Sequence, residues 1–298
     1  MEEIVKIASI AQYNAMRGVV TKHPLVTVID NSKAQPVPAR SFNFGLYAVG
    51  LKELNAAQLR YGRKHYDYQD GSMIFVAPGQ VIGVQRGDEP FAPKGWTLLF
   101  HSDLINGTPL GKHMQDYSFF SYEVNEALLL SDKERSIVID CFSKIEYELD
   151  QNIDKHSKRL IASNIELLLN YCIRFYDRQF ITRENINKGI LERLEYLLQG
   201  YFSSDKPRNE GLPSVAYCAE ALHLSPNYFG DLVKKETGRS AQEYIQSKVI
   251  DVAKERVFDM NKSVSEIAYE LGFKYPQHFT RLFKQKVGLT PNDYRMKN

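Results

Sequence analysis

Long apolar runs are missing from this chain: no stretch approaches the roughly 18–20 residues that a membrane-spanning helix needs, so no membrane partner is expected. Cysteine is scarce, and the three present, Cys141, Cys172 and Cys218, are an odd number set far apart. Cys172 and Cys218 fall within helical apolar patterns, which predicts buried thiols in a reducing cytoplasm rather than a disulfide or a zinc site. An excess of one charge is also lacking. The 38 basic side chains are balanced by 36 acidic ones, and that total alone predicts no polyanionic partner. No GxSxG elbow, Walker loop or paired-carboxylate pattern stands in a suitable context, so nothing supports catalysis and no cofactor is expected. The opening residues, MEEIVKIASI, carry acidic groups and no long apolar run, which predicts a cytoplasmic protein without a targeting segment. What is present is length: 298 residues suffice for two domains with real cores.

The most informative stretch is 262–295, KSVSEIAYELGFKYPQHFTRLFKQKVGLTPNDYR. Ser263 can cap a helix whose apolar residues Val264, Ile267, Ala268 and Leu271 share one face. Gly272 follows the last of them, as suits a left-handed helix end, and Phe273 plugs the bend. Pro276 then opens a second helix. Its buried stripe is Phe279, Leu282, Phe283 and Val287, and Gly288 ends it. The opposite face carries Gln277, His278, Thr280, Arg281, Lys284 and Gln285, a row rich in hydrogen-bond donors. A short helix, a glycine turn and a second helix with a basic outer face is the helix-turn-helix plan.

One such pair also occurs in many enzymes, but this chain holds a second copy. Aligning VAYCAEALHLSPNYFGDLVKKETGRSAQEY on VSEIAYELGFKYPQHFTRLFKQKVGLTPNDY places Val215 over Val264, Ala219 over Ala268 and Leu222 over Leu271. After the turn Pro226, Phe229, Leu232, Lys234, Gly238 and Tyr244 match Pro276, Phe279, Leu282, Lys284, Gly288 and Tyr294, with one extra residue in the second turn. A helix over about 241–259 joins the copies. Charge follows the repeat unevenly: residues 262–298 hold seven Lys or Arg against three Asp or Glu, whereas 205–261 hold eight against nine. The basic footprint therefore lies mainly on the second copy.

With both motifs, their spacing and the closing VGLTPNDYR, residues 212–298 resemble the AraC/XylS-type DNA-binding domain. Helical position then selects candidate readers, since in each second helix the first turn and the next exposed turn flank the buried Phe and face the major groove. In the second copy these are Gln277, His278, Thr280 and Arg281; in the first they are Asn227, Tyr228, Gly230 and Asp231. Arginine forks onto guanine and glutamine pairs with adenine, whereas Asp231 near phosphates is repelled unless it accepts from cytosine or orients a neighbour. Lys234, Lys235, Lys284 and Lys286 are expected to touch phosphate or solvent rather than bases.

Upstream, the texture is β over about 25–120. Short β-branched and aromatic runs at 42–51, 58–61, 73–79 and 97–104 are separated by turn residues, with Asp70-Gly71 a hairpin signal. A short helix is expected over 4–16 and a β-sandwich or barrel after it. FVAPGQV followed by GW…LLFH resembles the cupin-like N-terminal domain of AraC-type regulators. That resemblance raises metal binding, yet His65, His101 and His113 form no His-X-His pair, so no metal is expected. The aromatics Tyr47, Tyr61, Phe75 and Trp96 are the candidates for a ligand pocket, with barrel core as their simpler use. Helices are expected over about 131–202, opened by a Ser131/Glu134 capping box, and the polar stretch 204–211 reads as a linker.

The expected protein is α+β with two domains: a cupin-like sensor or dimerisation domain over 1–203 and an all-α domain over 212–298. The resemblance implies a transcription regulator that binds double-stranded promoter DNA, forms a homodimer, responds to a small-molecule effector and activates through RNA polymerase. The alternatives are a cupin-type metal enzyme with a DNA-binding tail, or a ligand-free dimerisation module carrying one.

Overall fold

The structure, a computed structural model, describes all residues except 1–3, 39, 53–58, 62–63, 67–70, 85–91, 123–125, 183 and 298; of 59–61, 64–66, 84, 182 and 184–188 it describes the backbone alone. The chain divides into two compact units, Met1–Thr182 and Arg183–Asn298.

The first unit opens with β1 (Ile4–Ile7) and α1 (Ile10–Met16) rather than one helix across 4–16. IVKI is β-branched and pairs in parallel with the third strand, while Ser9 caps α1 by accepting from the Gln12 amide. The strands that follow are β2 (Val26–Asp30), β3 (Ser41–Phe44), β4 (Tyr47–Lys52), β5 (Leu59–Tyr61), β6 (Lys64–Tyr66), β7 (Ser72–Val76), β8 (Val81–Val84) and β9 (Gly95–Phe100). Two short helices, α2 (Ser102–Ile105) and α3 (Pro109–His113), precede β10 (Leu128–Leu129), α4 (Asp132–Leu149) and α5 (Ser157–Thr182). The run expected at 42–51 is two strands in different sheets, and the one expected at 97–104 stops at Phe100 because His101 caps α2.

The strands form two five-stranded sheets, β1-β3-β8-β5-β6 and β10-β7-β4-β9-β2, antiparallel except for β1 with β3. Among the described residues no strand pair joins the two sheets, so the architecture is a sandwich rather than a closed barrel. Burial alternates along β3, where Phe42 and Phe44 point inward, but is nearly continuous along β7, whose two faces are both covered. Ile7, Ile10, Tyr13, Phe42, Phe44, Val76, Ile82 and Leu99 belong to the core between the sheets. The outer face of the second sheet packs on α4 and α5. The Ser131/Glu134 capping box forms as expected, and Glu134 also pairs with Arg178 of α5 at 2.7 Å. Asp70 of the expected hairpin lies outside the described residues; Gly71 turns the chain at φ 77° into β7.

The second unit is helical: α6 (Glu184–Phe202), α7 (Lys206–Glu210), α8 (Val215–Ala221), α9 (Pro226–Thr237), α10 (Ala241–Arg256), α11 (Val264–Glu270), α12 (Pro276–Val287) and α13 (Pro291–Lys297). Two expectations change here. Helix α6 contributes Leu194, Leu198, Tyr201 and Phe202 to the core of this unit, so the division precedes this helix instead of following residue 203. The stretch expected as a linker holds α7, with Pro207 buried and Gly211 beyond its end. Proline at a helix start and glycine at its end give the same composition as a linker. All three cysteines are free and buried, and burial pushes the Cys218 thiol up to about 12. No helix among the described residues is long and apolar enough to cross a membrane.

Candidate nucleic-acid interface

The two helix pairs are built to one gauge. Helices α8 and α11 each have seven residues, and α9 and α12 each have twelve. Ser214 and Ser263 cap the first helices, Ser263 in a reciprocal box with Glu266. Gly238 and Gly288 end the second helices in the left-handed conformation, each amide bonding back to Lys234 or Lys284. The turns differ. His223, at φ 61°, is the non-glycine residue with positive φ among those described, and it aligns with Gly272, at φ 92°. Ser225 caps α9, whereas Tyr275 stands at the same place before α12 and makes no side-chain cap.

The buried faces fix which side chains remain outside. In α12 Phe279 and Phe283 are wholly buried, leaving Gln277, His278, Arg281, Lys284, Gln285 and Lys286 exposed and Thr280 half-buried. The Tyr275 ring meets His278 edge-on at 5.4 Å between centroids, and Lys274 lies 5.6 Å from the Tyr275 ring, so one end of this face is a basic aromatic cluster. In α9 the buried face is wider: Tyr228, Phe229, Leu232 and Val233. Tyr228, expected as a reader, is only 4% exposed and is corrected to a core residue. Its aromatic ring extends the apolar stripe across the position that His278 leaves open in α12. Asn227, Lys234 and Lys235 are exposed, and Gly230 and Asp231 half-buried.

A shared frame holds both pairs. Helix α10 packs on α9 and on α12, with Ile245, Val249, Ile250 and Ala253 buried. Sixteen residues give it a length of about 24 Å. Helix α6 packs on α8 and α9, and α7 packs on α11. Glu270 of α11 receives Lys262 at 2.9 Å and Arg208 of α7. Burial by itself would raise the Glu270 pKa, but the two cations and their hydrogen bonds hold it below the usual value. Gly211 carbonyl accepts from Tyr201 Oη at 2.9 Å, and a Cβ on Gly272 would stand 2.6 Å from Gly211 carbon. Arg295 of α13 donates to the carbonyls of Val257 and Lys262, tying the chain end to the loop before α11.

The ligand-pocket candidates lie in the first unit. A cavity of about 120 Å³ opens between its sheets, lined on one side by Phe42, Phe44 and Ile82 and on the other by Ala48, Val76 and Leu99. Trp96 lines it, while its ring also stacks on Phe142 of α4 at 6.1 Å. Tyr47 and Phe75 do not line it: they face away from it and pack with Phe100, Phe119, Phe120 and Tyr176 on the helical side. Strand periodicity sends neighbours to opposite faces, and the sequence does not say which face is the cavity. The side chains of Tyr61 and His65 lie outside the described residues. Among the described residues no three His, Cys, Asp or Glu side chains form a metal cluster.

A family model agrees with this geometry. Residues 218–297 match a family model described as a helix-turn-helix domain. The Bacillus subtilis protein YtdP, named an uncharacterized HTH-type transcriptional regulator, is 33% identical over 108 residues, covering 36% of this chain and 13% of its own length. YobQ of the same organism, similarly named, is 28% identical over 130 residues, covering 39% of this chain and 53% of its own. Among solved structures, the C-terminal domain of AraT, a response regulator from Geobacillus stearothermophilus, is 27% identical, with a TM-score of 0.32, over 37% of this chain and 85% of that one. The chain thus spans at most about half the length of these two curated relatives. The C-terminal unit is a DNA-binding helix-turn-helix domain. Within it two helix pairs stand on one connecting helix.

Proposed function

We propose that this protein is a sequence-specific transcription regulator whose two recognition helices, α9 and α12, enter successive major-groove segments of promoter DNA. The observation that carries the reading is the outer face of α12: Gln277, His278, Arg281 and Lys284 are exposed in a row opposite two wholly buried phenylalanines. Arg281 is the guanine reader and Gln277 the adenine reader, with Lys284 and Lys286 on phosphate. His278 and the half-buried Thr280 complete that surface. In α9 Asn227 and Asp231 supply base contacts, Gly230 lets the backbone come close, and Lys234 and Lys235 meet phosphate.

The first unit is a cupin-like sensor, and its intersheet cavity accepts a small-molecule effector. The intact protein is a homodimer that activates through RNA polymerase. Supporting the dimer, Leu160, Leu167 and Ile181 of α5 are exposed at intervals that are multiples of seven, the repeat of a helix seam. Genome-wide mapping of binding sites, followed by footprinting of the full chain on a mapped operator, tests the reading. Two protected groove segments about one helical turn (10 bp) apart are expected per protomer. Protection of a single segment, or sites without a shared motif, refutes the two-reader arrangement.

A further inference from the structure

Among the described residues of the first unit, a fully buried arginine has part of its hydrogen-bonding capacity unused. Arg17, at the end of α1, is 1% exposed and lines the intersheet cavity. Its guanidinium is held in a fixed plane. Nε donates to the Gln35 carbonyl at 2.7 Å, and Nη1 donates to Asn31 Oδ1 at 3.0 Å and to Tyr13 Oη at 3.4 Å. Asn31 is fixed in turn by donating to Thr97 Oγ1 at 2.9 Å. These contacts use three of the five N–H donors that a guanidinium carries. Nη2 is buried and has no hydrogen-bond partner among the described residues, and no carboxylate pairs with the group there.

A buried positive charge without a counter-ion is unfavourable, and the fork of donors on Arg is shaped for a planar anion. The cavity beside it has the matching character. Among its described lining residues three are basic, Arg17, Lys52 and Lys94, and none is acidic, while most of the wall is aliphatic or aromatic. About 120 Å³ is several times the 10–15 Å³ that admits a single water on the same measure, which leaves room for a body of several carbon atoms.

We infer that this cavity binds a small organic acid, its carboxylate received by Arg17 Nη2 and its apolar body packed against Phe42, Phe44 and Ile82. The inference rests on the reading of the first unit as a sensor and gives its effector a chemical class. An inorganic anion matches the charge but not the apolar wall; a neutral apolar molecule matches the wall and leaves Nη2 unanswered.

The chain's one tryptophan, Trp96, lines the cavity and supplies a direct reporter. Full-length protein is titrated with sodium benzoate and sodium hexanoate, with benzamide and hexanamide as neutral counterparts, and with inorganic phosphate, following Trp96 emission and the melting temperature. A saturable change with at least one acid is expected, its amide binding at least tenfold more weakly and phosphate no better than the amide. At a hundredfold excess over Kd the acid raises the melting temperature by roughly 5–10 °C. Arg17→Met removes the preference for acid over amide; a merely structural arginine would leave that preference in any folded variant. Should that variant not fold, Arg17→Lys keeps the charge and weakens acid binding through loss of the planar fork. Equal binding of acid and amide, binding of phosphate as tight as of the acids, or no response to either acid overturns the inference. Operator binding is measured on the same protein without any acid. Its failure removes the regulator reading alone, whereas intact operator binding with no response to acid removes the anion site alone.

Discussion

The two helix pairs share lengths, spacing and terminal glycines, yet they solve the turn between their helices differently. The first places His223 in the left-handed region and the second places Gly272 there. His223 is exposed. Gly272 faces the backbone of Gly211, and a Cβ would come within 2.6–2.9 Å of three of its neighbours' backbone atoms. What demands glycine is therefore not the motif but the segment after α7 that lies across only one of its copies. The supports differ in the same way: α6 carries the first pair and α7 the second.

The largest expected effect tests those supports. A fragment starting at residue 205 loses Leu194, Leu198, Tyr201 and Phe202 from the core under α8 and α9. At about 1.5–3 kcal/mol for each large buried side chain the loss is roughly 6–12 kcal/mol, comparable with the whole stability of a domain. Residues 183–298 should melt cooperatively and 205–298 should not; equal melting of the two by circular dichroism removes α6 from the core.

Next come the turns. Gly272→Ala adds a left-handed penalty of about 1–2 kcal/mol and an overpacking cost of about 1–3 kcal/mol. His223→Gly relieves the first of these at its own site and costs some chain entropy, for a net change between zero and about 1 kcal/mol of stabilisation. Urea melts of the two variants should move in opposite directions, and a matching loss in both would dissolve the distinction between the turns.

The readers themselves should differ by a similar amount. Arg281→Ala should lose roughly 1–3 kcal/mol of discrimination at one base pair. Asp231→Ala should tighten binding to scrambled duplex while relaxing preference in the first half-site, and Lys284→Ala should weaken all sequences alike and reduce the salt slope by about one. Titrations against operator and scrambled DNA at several salt concentrations separate the three. Unchanged affinity and preference for Arg281→Ala would move the DNA-facing surface elsewhere.

The caps give the smallest contrast. Ser225→Ala should cost about 1 kcal/mol because Ser225 holds the Tyr228 amide, while Tyr275→Ser should gain a few tenths to about 1 kcal/mol of stability, since no side chain caps α12. If both substitutions destabilise equally in thermal melts, the Tyr275 ring contributes as much to folding as a cap does.

The second unit was legible because its signals are local: caps at Ser214 and Ser263, helix ends at Gly238 and Gly288, and one repeated apolar spacing. Tyr228 was misplaced because a tyrosine satisfies both a polar outer face and a wide buried one, and only the packing of α9 decides between them. The first unit was legible as strands but not as surfaces. Tyr47 and Phe75 alternate correctly, yet which side of the second sheet is the cavity depends on partners far away in sequence. Arg17 left no signal at all, since an arginine just beyond a short helix ordinarily points to solvent, and its burial follows from Asn31 and Gln35 closing over it.

The contact between Gly272 and Gly211 also bears on how this chain can change over generations. Two turns of common design are held to unequal standards. Position 223 can wander among residues that accept the left-handed region, while 272 is pinned by Gly211, far earlier in the chain, which can itself hardly move. A library randomised at both sites and selected for operator binding would return glycine, asparagine, aspartate and histidine at 223 and almost nothing but glycine at 272, so the two copies drift apart at their turns even while selection keeps their helices alike.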